Sequence, residues 1–207
     1  MTARLQEKGY QACGIDMSGA LLRLARQAFP QLTFVQADVT AFSLDQAVDV
    51  VFSNAVLHWI KPSKQREMMR CVHAACEGRQ FVFEMGGHGN NRLIHEALAE
   101  AFQAHGYEYE NPFYFPPIAE YSSMLEEMGF EVRYAILFDR PAPLKRKDGL
   151  RDWITMFLKE PLAVIRTEDQ KSVLDQAVNS LKTKLCRDDG WHADYVRLRM
   201  KAIKIKE

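Results

Sequence analysis

Cysteine is scarce and poorly spaced for chemistry. Cys13, Cys71, Cys76 and Cys186 include no C-x-x-C pair, so zinc and dithiol sites lack their usual spacing and reduced structural thiols are expected. The histidines include no H-E-x-x-H, and His95-Glu96 has no second histidine one turn later; no metal is expected. Charge of one sign is not in excess either. Lys+Arg and Asp+Glu stand at 27 each, without the basic surplus from which non-specific nucleic-acid binding draws affinity, which favours a small-molecule partner. No apolar run approaches the ~18 residues of a membrane-spanning helix. The N-terminus Met1-Thr2-Ala3-Arg4-Leu5-Gln6-Glu7-Lys8 lacks the apolar core of a secretory signal, so neither a membrane partner nor export is expected and the location reads as cytoplasmic. With no internal repeat, low-complexity tract or linker, residues 1–207 read as a single domain.

What is present is an alternation of strands and helices. Tyr10 to Asp16 is a short apolar run ending in an acid, and Ser18 follows as an N-cap. Leu21, Leu22, Ala25, Ala28 and Phe29 recur at helical spacing until Pro30 stops them. Leu32 to Asp38 repeats the strand-then-acid pattern. Ala47 to Asn54 is more continuously apolar and reads as a central strand covered on both faces. A helix is predicted from Pro62 to Cys76, closed by Gly78, before a strand from Gln80 to Met85. Three such β-then-α units imply right-handed crossovers and a doubly wound, mostly parallel α/β sheet.

The second half changes character. A helix around Asn91 to His105 leads to an aromatic, proline-rich loop from Asn111 to Pro117, a helix from Ile118 to Met128 and a strand from Glu131 to Asp139. A helical stretch from about Gly149 to Cys186 precedes a strand from Tyr195 to Ile205, in which Tyr195, Arg197 and Arg199 alternate with Val196, Leu198 and Met200. Strand, helical insertion over 149–186 and returning antiparallel C-terminal strand predict a hairpin at the sheet edge, with the insertion as a cap.

In open α/β sheets ligands sit beyond the carboxyl ends of the strands, so Asp16 and Asp38 would face one crevice. One strand-end carboxylate can accept both hydroxyls of a ribose, and the next can reach an adenine amino group. Strand-terminal Asp also commonly serves only its own turn. Gly86-Gly87-His88-Gly89 lies between a strand and a helix, where backbone N–H groups can face an anion. It is no dinucleotide fingerprint, because Arg92 stands where the third glycine belongs, and a flexible turn near the substrate pocket is the better reading. Arg92 itself reads as a carboxylate partner or as a solvated arginine.

Gly14-Ile15-Asp16-Met17-Ser18, Gln36-Ala37-Asp38-Val39 and Phe52-Ser53-Asn54-Ala55-Val56-Leu57-His58-Trp59 together resemble class I S-adenosylmethionine-dependent methyltransferases, particularly the trans-aconitate methyltransferase-like branch. The likeness continues through Phe83 to Asn90, Asn111 to Pro116 and Asp139 to Leu144. It implies a Rossmann-like fold, S-adenosyl-L-methionine as cofactor, and methyl transfer to a small acceptor, a carboxylate by analogy. By position it implies cofactor binding by Asp16 and Met17, adenine lining by Asp38 and Val39, a methionine border at Asn54, and His58 and Trp59 near the reacting methyl. Asn54 also reads as a turn residue, His58 as a helix-start histidine and Trp59 as packing.

The ribose-binding acid normally lies about 20 residues after a glycine-rich turn that ends the first strand. Counting back from Asp16 puts that turn before Met1, so the first strand of the family fold is expected to be absent and Leu5 to Gly9 to be the last turn of the helix after it. Two other readings follow from the residues: a non-catalytic methyltransferase-like interaction protein, and a phosphate-binding enzyme using Gly86 to Gly89.

Overall fold

A computed structural model describes residues 1–205, without the side chains of residues 77–79. The chain opens with α1 (Thr2–Gln6), whose exit is turned by Gly9 at φ +88°, the left-handed conformation that glycine adopts without steric cost. β1 (Cys13–Asp16) and β2 (Thr33–Gln36) then flank α2 (Gly19–Ala28). The Ser18 hydroxyl accepts the Leu21 N–H and caps α2, as its sequence position predicts. β3 (Val48–Asn54) leads through 3-10 turns at Leu57–Trp59 and Pro62–Lys64 into α3 (Gln65–Ala75) and β4 (Cys76–Gly86). Cys76 takes an extended backbone directly at the end of α3, so Gly78 lies within the strand and does not close the helix as expected.

The remainder comprises α4 (Arg92–Ala104), α5 (Ile118–Glu127), β5 (Phe130–Asp139), β6 (Ala142–Pro143), α6 (Gly149–Phe157), α7 (Lys159–Ala163), α8 (Thr167–Leu185), β7 (Cys186–Arg187), β8 (Gly190–Ala193) and β9 (Val196–Lys204). The predicted long helical stretch is therefore three helices. The minor strands β6, β7 and β8 form a small sheet of order β6-β8-β7 that the sequence reading did not foresee.

The main sheet has the order β3-β4-β9-β5. β3 and β4 are parallel, and β9 runs antiparallel to both of its neighbours, giving the predicted returning strand. β1 and β2 form a separate parallel pair. β3 is consequently an edge strand and not the central strand its apolar run suggested. Val50 is 43% and Phe52 42% exposed, and among the described residues no strand pairs with the open sides of β1 and β3.

Two apolar cores result. One lies under β4 and β9, where Phe81, Phe83, Met85, Tyr121, Phe130, Leu198 and Met200 are fully enclosed. The other joins α4 to the C-terminal helices through Ile94, Leu98, Phe102, Ile154, Val173 and Leu181. The insertion over 149–186 thus packs on α4 and forms its own core with it. No described helix is long and apolar enough to cross a membrane.

Candidate functional site

Asp16 and Asp38 end neighbouring parallel strands on the same side. Asp16 pairs with Gln36, and the Asp16 carbonyl accepts the Ala37 N–H at 3.2 Å, which ties the exit of β2 to the end of β1. Each carboxylate also serves its own turn. Asp16 Oδ1 accepts the Ser18 N–H at 2.7 Å. Asp38 Oδ1 accepts the Thr40 N–H and hydroxyl, both at 2.8 Å, and these bonds hold its carboxyl below the usual Asp value. The second oxygen of each has no hydrogen-bond partner among the described residues. Met17 is 70% exposed next to Asp16, and Val39 is half-buried against the first core. A shallow groove of 220 Å³, walled by Gly14, Ile15, Leu22 and Phe34, borders Asp16.

Asn54 is exposed at the end of β3, beside a sharp turn in which Ala55 has φ +58° and its N–H reaches the Glu84 carbonyl at 2.8 Å. A non-glycine residue in this left-handed region is uncommon. The turn delivers the chain into the 3-10 segment carrying His58 and Trp59.

His58 is 8% exposed, and its Nδ1 accepts the Gly86 N–H at 3.2 Å. Because the donor is a backbone amide, the hydrogen of the neutral ring sits on Nε2. Burial, and secondarily the Arg197 charge, pull the His58 pKa down to about 4. The segment is held rigidly: Gln65, fully enclosed, donates to the Leu57 and Ile60 carbonyls and accepts from the Tyr121 hydroxyl, while Tyr114 N–H donates to the His58 carbonyl.

Around His58 stands a group of rings. Phe113 and Phe115 lie 5.9 and 5.8 Å from it and 6.0 and 5.9 Å from His95, a residue that in the sequence stands out only as half of an incomplete metal motif. His95 Nδ1 shares a hydrogen with Tyr109 Oη at 2.6 Å, its Nε2 is buried without a partner among the described residues, and burial brings its pKa to about 4. Trp59 is half-exposed, edge-on to Phe113 at 4.6 Å and 6.2 Å from Phe157 of α6, so it links the first half of the chain to the helical insertion. Gly86 is required for this arrangement: a Cβ there would lie 2.5 Å from the Phe115 ring.

The glycine loop is not an anion cradle. The amide of Gly86 is taken by His58, that of Gly87 by the Val196 carbonyl, His88 by Pro116, Asn90 by Gly87 and Arg92 by Gly89. With these donors satisfied internally, the phosphate-binding reading loses its chemistry. Arg92 is solvated, its side chain 70% exposed and 3.9 Å from Glu96. The cationic groups that do converge here come from elsewhere. Glu84, 9% exposed, is bound by Arg140 at 2.8 Å and by Arg199 at 2.9 and 2.6 Å, with Arg197 on the same face of β9. The alternation of Arg197 and Arg199 in the sequence marked this face but not its partner.

The chain is similar to known methyltransferases in sequence and in fold. Residues 1–78 match the family described as "Methyltransferase domain". An uncharacterized methyltransferase of Schizosaccharomyces pombe is 30% identical over 217 residues, spanning 99% of this chain and 82% of its own length. The trans-aconitate 2-methyltransferase of Azoarcus sp. strain BH72 is 46% identical over 61 residues, 28% of this chain and 24% of that protein. Among solved structures, an S-adenosylmethionine-dependent methyltransferase of Methanosarcina mazei superposes with TM-score 0.63 at 14% identity, covering 100% of this chain and 88% of that one. One from Corynebacterium glutamicum gives 0.54 at 13% identity, over 99% and 73%. The fold is that of α/β methyltransferases. The chain belongs to the class I S-adenosylmethionine-dependent methyltransferases, whose cofactor is S-adenosylmethionine.

Proposed function

We propose that the protein transfers the methyl group of S-adenosylmethionine to a carboxylate oxygen of a small-molecule acceptor. The observation that carries this reading is the state of His58. Its Nδ1 is occupied by the Gly86 N–H and its low pKa keeps the ring neutral, so Nε2 offers a hydrogen and has no capacity to take one. A histidine fixed in this way is no general base. Such a site suits an acceptor that arrives already nucleophilic, which an ionised carboxylate does at neutral pH and an alcohol does not. The local likeness to trans-aconitate 2-methyltransferase supports the same class of acceptor.

The residues present fit the cofactor. Two carboxylates end neighbouring strands on one side, each with an oxygen free of protein partners, as ribose hydroxyls and an adenine amine require. In this reading Asp16 holds the ribose with Met17 beside it, Asp38 and Val39 line the adenine, and Asn54 borders the methionine portion. The bound cofactor supplies a sulfonium-activated methyl. His58 donates from Nε2 to orient the acceptor, and Trp59 with Phe113 and Phe115 excludes water, so that catalysis is alignment in a dry site.

A second reading, a non-catalytic interaction protein on a methyltransferase scaffold, is favoured by one observation: the open sides of β1 and β3, with Ile15, Val50 and Phe52 exposed. Calorimetric titration with S-adenosylhomocysteine separates the two. Micromolar binding that disappears in Asp16→Ala is expected for the enzyme; no heat at millimolar ligand would leave the scaffold reading standing.

A further inference from the structure

Two guanidinium groups bind one carboxylate near the end of β4, and a third stands on the same face without joining them. Residues paired across antiparallel strands share a face, so Glu84 and Gly86 of β4 stand beside Arg199 and Arg197 of β9. Glu84 spends one oxygen on Arg140 and the other on Arg199. Arg197 is left over. Its guanidinium stacks 4.3 Å from the centre of the Tyr195 ring, its Nε is shut away from water, and it makes no hydrogen bond or ion pair among the described residues. Burial works against its charge, Tyr195 and Glu84 favour it from beyond hydrogen-bond reach and Arg140 opposes it, and the charge is felt in turn at His58. A half-buried guanidinium without a hydrogen-bonded anion is costly, and its donors in a fixed fork match a planar two-oxygen anion.

We propose that Arg197 is a specificity-determining residue that binds a carboxylate of the methyl acceptor other than the one methylated. The proposal rests on the reading of His58 as the neighbour of the reacting group. Location supports it: Arg197 pairs with Gly86, whose N–H holds His58 and whose missing side chain admits Phe115. The choice of carboxylate over phosphate follows from the loop beside it. The amides of Gly86, Gly87, His88, Asn90 and Arg92 are engaged, which leaves few donors for a tetrahedral anion. Glu84, already bound twice, keeps Arg140 and Arg199 from collapsing onto the same ligand while leaving the cluster with a net positive charge.

The test reads anion binding without requiring turnover. Histidine NMR follows the His58 ring signals of the full chain at pH 7, where both glutarate carboxylates are ionised, with glutarate, butyrate or inorganic phosphate as probe. An anion held by Arg197 changes the field at the neighbouring His58 ring, so glutarate is expected to shift these signals in the parent protein and to leave them unmoved in Arg197→Met. Arg197→Lys should restore the response at an affinity about 10- to 100-fold weaker, since a point charge replaces two parallel hydrogen bonds. Butyrate, with no second carboxylate, is expected to produce less than a tenth of the glutarate affinity. Arg197→Met should unfold at the same denaturant concentration as the parent or higher, because it deletes an unpaired charge. Unchanged His58 signals with glutarate at pH 7, or phosphate binding more tightly than glutarate, would overturn the assignment. S-adenosylhomocysteine binding is measured separately on both proteins: its absence would sink the cofactor reading while leaving the glutarate result to stand or fall by itself.

Discussion

At the scale of single residues, two buried histidines govern the response to acid. His58 and His95 are each 8% exposed, with pKa values of about 4 against an ordinary 6.5. Both are neutral in the fold and protonate readily once unfolded. Between pH 6.5 and 4 the unfolded chain therefore binds more protons, and stability falls as pH is lowered. Each histidine is expected to remove about 2 kcal/mol by pH 5 relative to pH 8. Urea unfolding at the two pH values checks this, and His95→Gln should flatten the dependence by about that amount; an equal slope in the variant would show that His95 is not titrating in this range. His95 also illustrates a residue whose importance was hidden in the sequence. As a lone histidine on a helix it carried no signal, because its ring partners Phe113, Phe115 and Tyr109 come from a separate loop.

Among the elements, β3 carries the clearest disagreement between local pattern and final position. A segment rich in apolar residues, as Val48, Val50, Val51 and Phe52 make this one, usually marks a strand covered on both faces, yet here Val50 and Phe52 face outward and one edge is unpaired. Unpaired apolar edges template association with other chains. The protein is accordingly expected to self-associate as its concentration rises, and Val50→Lys or Phe52→Lys should suppress this in sedimentation velocity while leaving the far-ultraviolet circular dichroism unchanged. If the lysine variants associate as strongly as the parent, these edges are not the sticky surface. The glycine loop gives the complementary lesson. Its spacing suggested a cradle for an anion, and only the pairing of its amides with Val196, Pro116 and His58 shows that it is a rigid tie between strands.

The whole molecule is built from two cores with the site between contributions from both halves of the chain. Of the residues of the proposed site, Asp16 and Asp38 come from the two-stranded pair, Asn54 and His58 from the exit of β3, and Arg197 from β9, more than a hundred residues later. Trp59 touches both Phe113 and Phe157, coupling the first half to the insertion. A ligand that binds only the folded state stabilises it by mass action. S-adenosylhomocysteine at a hundred times its dissociation constant is expected to add about 2.7 kcal/mol and to raise the melting temperature of the parent but not of Asp16→Ala. An equal rise in both would place the cofactor away from Asp16.

The sequence by itself determined the order of the longer strands and helices up to β5, the cap at Ser18, the acid that ends β1 and the one that follows β2, and the family, because these depend on neighbours in the chain and on spacing that a linear reading can count. The returning antiparallel strand was legible for the same reason, in the alternation of Arg197 and Arg199 with Val196, Leu198 and Met200. Tertiary structure alone decided that β3 is an edge, that His58 is neutral with its hydrogen on Nε2, and that Glu84 answers two of three arginines. Protonation state, burial and the pairing of charges depend on which distant segments remove water from a group, and that is a property of the packed chain.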